Sequence, residues 1–186
     1  MSLTFLALIF LALGSFWLLQ LLNRDNLSIQ ADQQRDEPDY FVDHFSVVKM
    51  SPAGQPSYIV SGTKLTHHPL DDSSDIDKPF LRNLAPGRPP TDVHADRGRV
   101  DQDHTRVVLT GNVIVDRPAA PGFQNLNLKS ESLTVFPDSE RMETDRPVAM
   151  YAGTTLVTGV GMVANNATGQ VDIAHRLRIT YPPAPR

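Results

Sequence analysis

The 186-residue chain has room for one ordinary domain, and with 40% hydrophobic and 20% charged residues it is neither wholly disordered nor a polytopic membrane protein. A formal net charge of −4 provides no basic field to attract nucleic acid. The absence of cysteine excludes disulfides, thiolate metal sites and cysteine nucleophiles.

Residues 3–22, LTFLALIFLALGSFWLLQLL, carry no charge. A helix of that length is about 30 Å long, the thickness of a bilayer's hydrocarbon core. Its nine Leu, three Phe and one Ile favour insertion by about 4–8 kcal/mol. Residues 1–22 are therefore expected to form one transmembrane anchor. The rival is a cleaved secretory signal, which wants a basic start, an apolar core of about 7–15 residues and a small-x-small site. None of these is present, and either reading sends the remainder across the membrane. Residues 23–38 are polar and aperiodic, as in a juxtamembrane linker.

From residue 39 to 186 the pattern becomes short β-branched runs with period-two alternation. Strands are expected near 45–48, 57–66, 106–116, 125–136, 148–151, 154–163 and 170–181. Turn signals separate them: Ser51-Pro52-Ala53-Gly54, Pro121-Gly122, Pro137-Asp138-Ser139 and residues 165–169. With no amphipathic helical window between them, the body is expected to be all-β and antiparallel. Residues 69–93, acidic and then proline-rich, read as a long connection with a short edge strand near Ile76. The unit apolar–Ser/Thr–Gly recurs at Val60-Ser61-Gly62, Leu109-Thr110-Gly111 and Val157-Thr158-Gly159, hinting at one strand module reused.

Two polar clusters invite a chemical reading. His67, His68, Asp71, Asp72, Asp75 and Asp77 offer ligand types for a divalent cation, but the spacing fits neither a calcium loop nor a zinc signature, so a solvated acidic loop is expected. His94, Asp96, Asp101, Asp103 and His104 suggest acid–base work but lack a nucleophile or an oxyanion feature; hairpin polar residues are the plainer reading, and the chain is not expected to be an enzyme. Strand parity is more informative. It places Phe45, Val47, Tyr58, Val60, Val107, Leu109, Val113, Val171, Ile173, Ile179 and Tyr181 on faces that must converge on one interior. That interior is either a closed core or a trough partly open along one side, able to take acyl chains.

Pro38-Asp39-Tyr40, Pro56-Ser57-Tyr58, Ala95-Asp96-Arg97-Gly98, Leu109-Thr110-Gly111-Asn112-Val113, Leu128-Lys129-Ser130-Glu131-Ser132-Leu133, Thr144-Asp145-Arg146-Pro147-Val148, Gly159-Val160-Gly161-Met162 and Arg178-Ile179-Thr180-Tyr181 follow one another in an order that resembles the LptC family, the single-span inner-membrane component of the lipopolysaccharide transport bridge. The chain departs from that pattern at the proline-rich residues 82–93. The resemblance implies an OstA-like twisted open β-jellyroll of two antiparallel sheets, with the span in the inner membrane and the C-terminal domain in the periplasm. It implies lipopolysaccharide as cargo, with acyl chains in a groove, and no cofactor; the residues expected to line that groove are those that strand parity, not the resemblance, places inward. The implied partners are the permease subunits LptF and LptG with their ATPase LptB, and the periplasmic LptA, which would add to an edge at Gln170, Val171, Asp172, Ile173, Ile179 and Tyr181 by β-augmentation. Two other readings stay open: a tethered scaffold that carries no lipid, and a β-sandwich hydrolase using the His/Asp cluster.

Overall fold

Period-two alternation becomes strand throughout the C-terminal body. The computed structural model describes residues 15–20 and 37–182. The chain divides into two units, Met1–Glu37 and Pro38–Arg186. In the first, residues 15–20 are helical, and among the described residues no helix is long and apolar enough to cross a membrane. The remainder of the expected span and nearly all of the expected linker lie outside the described residues.

Among its described residues the second unit contains eleven strands: β1 (Tyr40–Met50), β2 (Pro56–His68), β3 (Ser73–Asp77), β4 (Phe80–Asn83), β5 (Thr91–His94), β6 (Arg97–Val100), β7 (Val107–Arg117), β8 (Leu126–Phe136), β9 (Arg141–Ala152), β10 (Thr155–Asn165) and β11 (Gln170–Thr180). All pairings are antiparallel. β3 and β4 are one strand broken at Lys78-Pro79, since both pair with β2, and β5 and β6 are one strand broken at Ala95-Asp96, since both pair with β7. The result is a sequential meander from β1 to β11.

Two expectations need correction. In place of two sheets there is one hydrogen-bonded sheet, bent across all its strands at a row of irregularities. His44 (φ 49°), Lys78 (φ 50°), Gly111 and Asn112 (φ 76° and 46°), Gly161 (φ 74°) and Arg176 (φ 55°) lie on this row, and the pairing registers of β7–β8, β8–β9, β9–β10 and β10–β11 shift there. A bulge turns a strand without ending it, so the ladders continue on both sides of the bend. The sheet thus folds into two half-sheets sharing the same strands. The upper half holds residues 45–50, 56–62, β4, β5, 113–117, 126–130, 147–152 and 155–160. The lower half holds residues 40–43, 64–68, β3, β6, 107–110, 132–136, 141–144 and 162–165.

The second correction concerns residues 69–93, which supply β3, β4 and most of β5 to the middle of the sheet. Their prolines fall at the breaks: Pro79 is buried at the bend, while Pro86, Pro89 and Pro90 lie in the β4–β5 connection. No ladder hydrogen bond is forfeited at those places, so the usual objection to proline in a sheet does not apply. β9 likewise runs well beyond residues 148–151, because Pro147 occupies the β9 register shift opposite Val160.

One buried cluster draws on both halves: Leu81, Val93, Val113, Val115, Leu128, Val148 and Met150 from the upper, Val107, Leu109, Leu133, Met162 and Ala164 from the lower. The half-sheets therefore pack face to face, and burying these side chains at about 1.5–3 kcal/mol each is what holds the fold shut.

Candidate functional site

The antiparallel register sets the inward side chains in rows that run across the strands. In the upper half one row reads Val47, Val60, Leu81, Val93, Val115, Leu128, Met150, Val157 and Ile179, each paired with the next from β1 to β11. In the lower half Val100, Val107, Val135, Met142, Ala164 and Val171 continue in the same way from β6 to β11. The sheet thus carries two unbroken apolar tracks, one on each inner face. Exposure along the upper track is uneven. Val47 is 57% exposed and Ile179 46%, whereas Val115 is 1% exposed. The upper track reaches solvent at its β1 and β11 ends and is sealed between.

At the β1 end the halves part around a cavity of about 450 Å³, within the range of small-molecule sites. Five residues expected from strand parity meet there: Phe45, Val47, Tyr58, Val60 and Val107. Leu109 and Val113 share their inward parity but are completely buried in the packed middle. Ile173 packs against the core, and Val171 and Ile179 are more open, all three at the β11 end. Tyr181 lies past the end of β11 and is 71% exposed. The expected lining is therefore split between the two ends of the sheet. Leu65, Ile76 and Val100 complete the cavity from the lower half and were missed. Ile76 lies in the segment expected to be a connection with a short edge strand, although the alternation Ser74-Asp75-Ile76-Asp77 marks it as the inward residue.

Lys49 Nζ donates to Asp138 Oδ1 at 2.5 Å, and that bond, with Tyr58 nearby, raises the lysine pKa. Arg82 grips Asp92 with two bonds of 2.7 and 2.6 Å on the outer face. The polar clusters have structural partners. His67 stacks on Tyr40 at 4.6 Å and bridges Asp39 (2.7 Å) and Asp72 (2.8 Å), which raise its pKa in that order of effect. Asp71 is held at about 2 by the Ser73 hydroxyl and the Arg99 guanidinium. Asp96 sits at the bend, accepting from Lys78 and Asn112, both at 2.6 Å. Asp101, Asp103 and His104 fall in the β6–β7 connection, so β6 separates them along the strand from Asp96. Among the described residues no group of three or more His, Asp or Glu is placed to hold a metal ion.

The edge formed by Gln170, Val171, Asp172, Ile173 and Ile179 belongs to β11, which pairs with β10 alone among the described strands. β1 is the opposite edge and, among the described strands, pairs with β2 alone.

A protein-family model described as lipopolysaccharide-assembly, LptC-related, matches residues 5–182. Among solved structures, LptH, the LptA homologous periplasmic component of the conserved lipopolysaccharide transport device from Pseudomonas aeruginosa, is similar at a TM-score of 0.48 and 10% identity, over 81% of this chain and 99% of that one. No curated protein matches the chain.

Proposed function

The chain belongs to the LptC family of lipopolysaccharide-assembly proteins, and from that premise we propose that its β domain carries lipopolysaccharide from the inner membrane to the next periplasmic jellyroll. The observation that carries this reading is the pair of apolar tracks, the upper running from β1 to β11 and the lower from β6 to β11. Each acyl CH₂ removed from water is worth about 0.8 kcal/mol, so a multi-chain lipid needs continuous shielding in transit. Tracks perpendicular to the strands let chains slide from strand to strand while the sugars stay in solvent. The movement needs no covalent chemistry from this domain. In this reading a single span at residues 1–22 anchors it in the inner membrane beside LptF, LptG and LptB, whose ATP hydrolysis extracts the lipid. LptA then adds to the free β11 edge by β-augmentation and prolongs the tracks.

The packed middle of the sheet favours a second reading, in which the domain is a tethered scaffold that joins its neighbours through β1 and β11 and holds no lipid. Photocrosslinking separates the two. A photoreactive residue at Val47 or Tyr181 captures lipopolysaccharide if the domain is a carrier, whereas one at Asn112, on the outer face, does not. Equal labelling at all three positions refutes the carrier.

A further inference from the structure

The β4–β5 connection carries residues that do not serve the sheet. Ala85-Pro86-Gly87-Arg88 forms a tight turn, with the Arg88 amide donating to the Ala85 carbonyl at 3.2 Å and Gly87 at φ 73°. Proline at the second position and a left-handed glycine at the third are the signature of a type II turn, a stiff mount for the residue that follows. From that mount on the upper half, the Arg88 guanidinium reaches across to two lower-half loops. It donates to Glu140 Oε1 at 2.9 Å and to the Asn166 carbonyl. The receiving pair is already assembled, because the Asn166 side-chain amide donates to Glu140 Oε2 at 3.0 Å and its backbone N–H to the Glu140 carbonyl at 2.8 Å. Arg88 and Glu140 side chains are only 21% and 24% exposed. Glu140 itself is left-handed at φ 51°, a costly conformation for a non-glycine residue.

Behind this contact the interior narrows. The 450 Å³ cavity at the β1 end shares Tyr58 and Pro137 with a second cavity lined by Leu81, Val93, Val135 and Met142, with Glu140 and Asn166 beside them. That second cavity measures about 50 Å³, space for a few waters and not for a hydrocarbon chain. Both apolar tracks pass through it. We propose that Arg88, Glu140 and Asn166 form a latch across the free margin of the folded sheet, and that its release lets an acyl chain pass from the β1 cavity into the middle of the tracks. The latch rests on the carrier reading for its purpose but not for its existence, since it closes the margin with or without cargo.

The chain has no cysteine, so spin labels at Ala85→Cys and Ala167→Cys, one on each side of the latch, report the margin in the full-length protein. Arg88→Ala lengthens the label-to-label distance without lipid and speeds uptake of a fluorescent fatty acid by at least about tenfold, since it removes both charge-assisted contacts and the loss of one alone is worth about that factor. Arg88→Lys, which keeps the charge but not the fork, falls between. Glu140→Gln provides the same test should Arg88→Ala fold poorly, as judged by circular dichroism. An unchanged distance in both Arg88→Ala and Glu140→Gln overturns the latch. A lengthened distance with no fatty-acid uptake upholds the latch and refutes the carrier.

Discussion

Gly62 lies where the floor of the β1 cavity meets the bend, and its missing side chain is a packing requirement. A Cβ built there would sit 2.6 Å from Ile76 Cγ2, 3.0 Å from the Asp77 carbonyl oxygen and 3.0 Å from Phe45 Cε1. The carbonyl belongs to the β3 ladder and cannot rotate away, and Ile76 is buried, so Gly62→Ala forces the β2–β3 pair apart. Overpacking of this kind costs about 1–3 kcal/mol, partly offset by about 0.5–1 kcal/mol from the lower chain entropy of alanine in the unfolded state. The net loss of about 1–2 kcal/mol corresponds to roughly 2–8 °C in melting temperature for a domain of this size. Ile76→Ala alone leaves a void and costs about 2–5 kcal/mol. In the double variant the new methyl at 62 occupies part of that void, so the combined loss falls short of the sum by about 1–2 kcal/mol. Thermal unfolding followed by circular dichroism on the four proteins measures this directly. A neutral Gly62→Ala, or losses that simply add, would show that Gly62 and Ile76 do not press on each other and that this wall of the cavity is misplaced.

Leu109 is a fully buried member of the core. Leu109→Ala should cost about 3–5 kcal/mol in the same assay, and Leu109→Arg should fail to fold, because it buries a charge without a partner. A soluble, folded Leu109→Arg would mean that the middle of the sheet is open. His67 provides a pH test. Its pKa is raised above 6.5 by Asp39 and Asp72, so the bond it contributes is fully present below the unfolded value and lost as pH climbs through the folded one. Nuclear magnetic resonance titration of the His67 ring should give a midpoint above 6.5, falling in Asp39→Asn; a native midpoint at or below 6.5 contradicts the bridge.

Much of the strand pattern was legible because burial on one face leaves a period-two signature: residues 106–116 and 154–163 alternate clearly and became β7 and β10 with small shifts. Residues 69–93 read as a connection because proline and acidic residues count against a strand wherever they occur, and sequence does not reveal that Pro79 stands at a bend. The inward parity of Phe45, Val47, Tyr58 and Val60 followed from the same signature, and these residues do share a cavity. Leu109 and Val113 have equally good parity, yet local alternation says only which way a residue points. How far the opposite half-sheet lies depends on every bend in the row.

Composition and alternation by themselves determined an all-β antiparallel body with a defined inner face and without cysteine chemistry, since these properties are written in neighbouring residues. The folding of a single sheet on itself, the filling of its middle and the span of Arg88 to Glu140 came only with the tertiary structure. Arg88 and Glu140 stand 52 residues apart in the chain, and no local preference of either residue encodes that meeting.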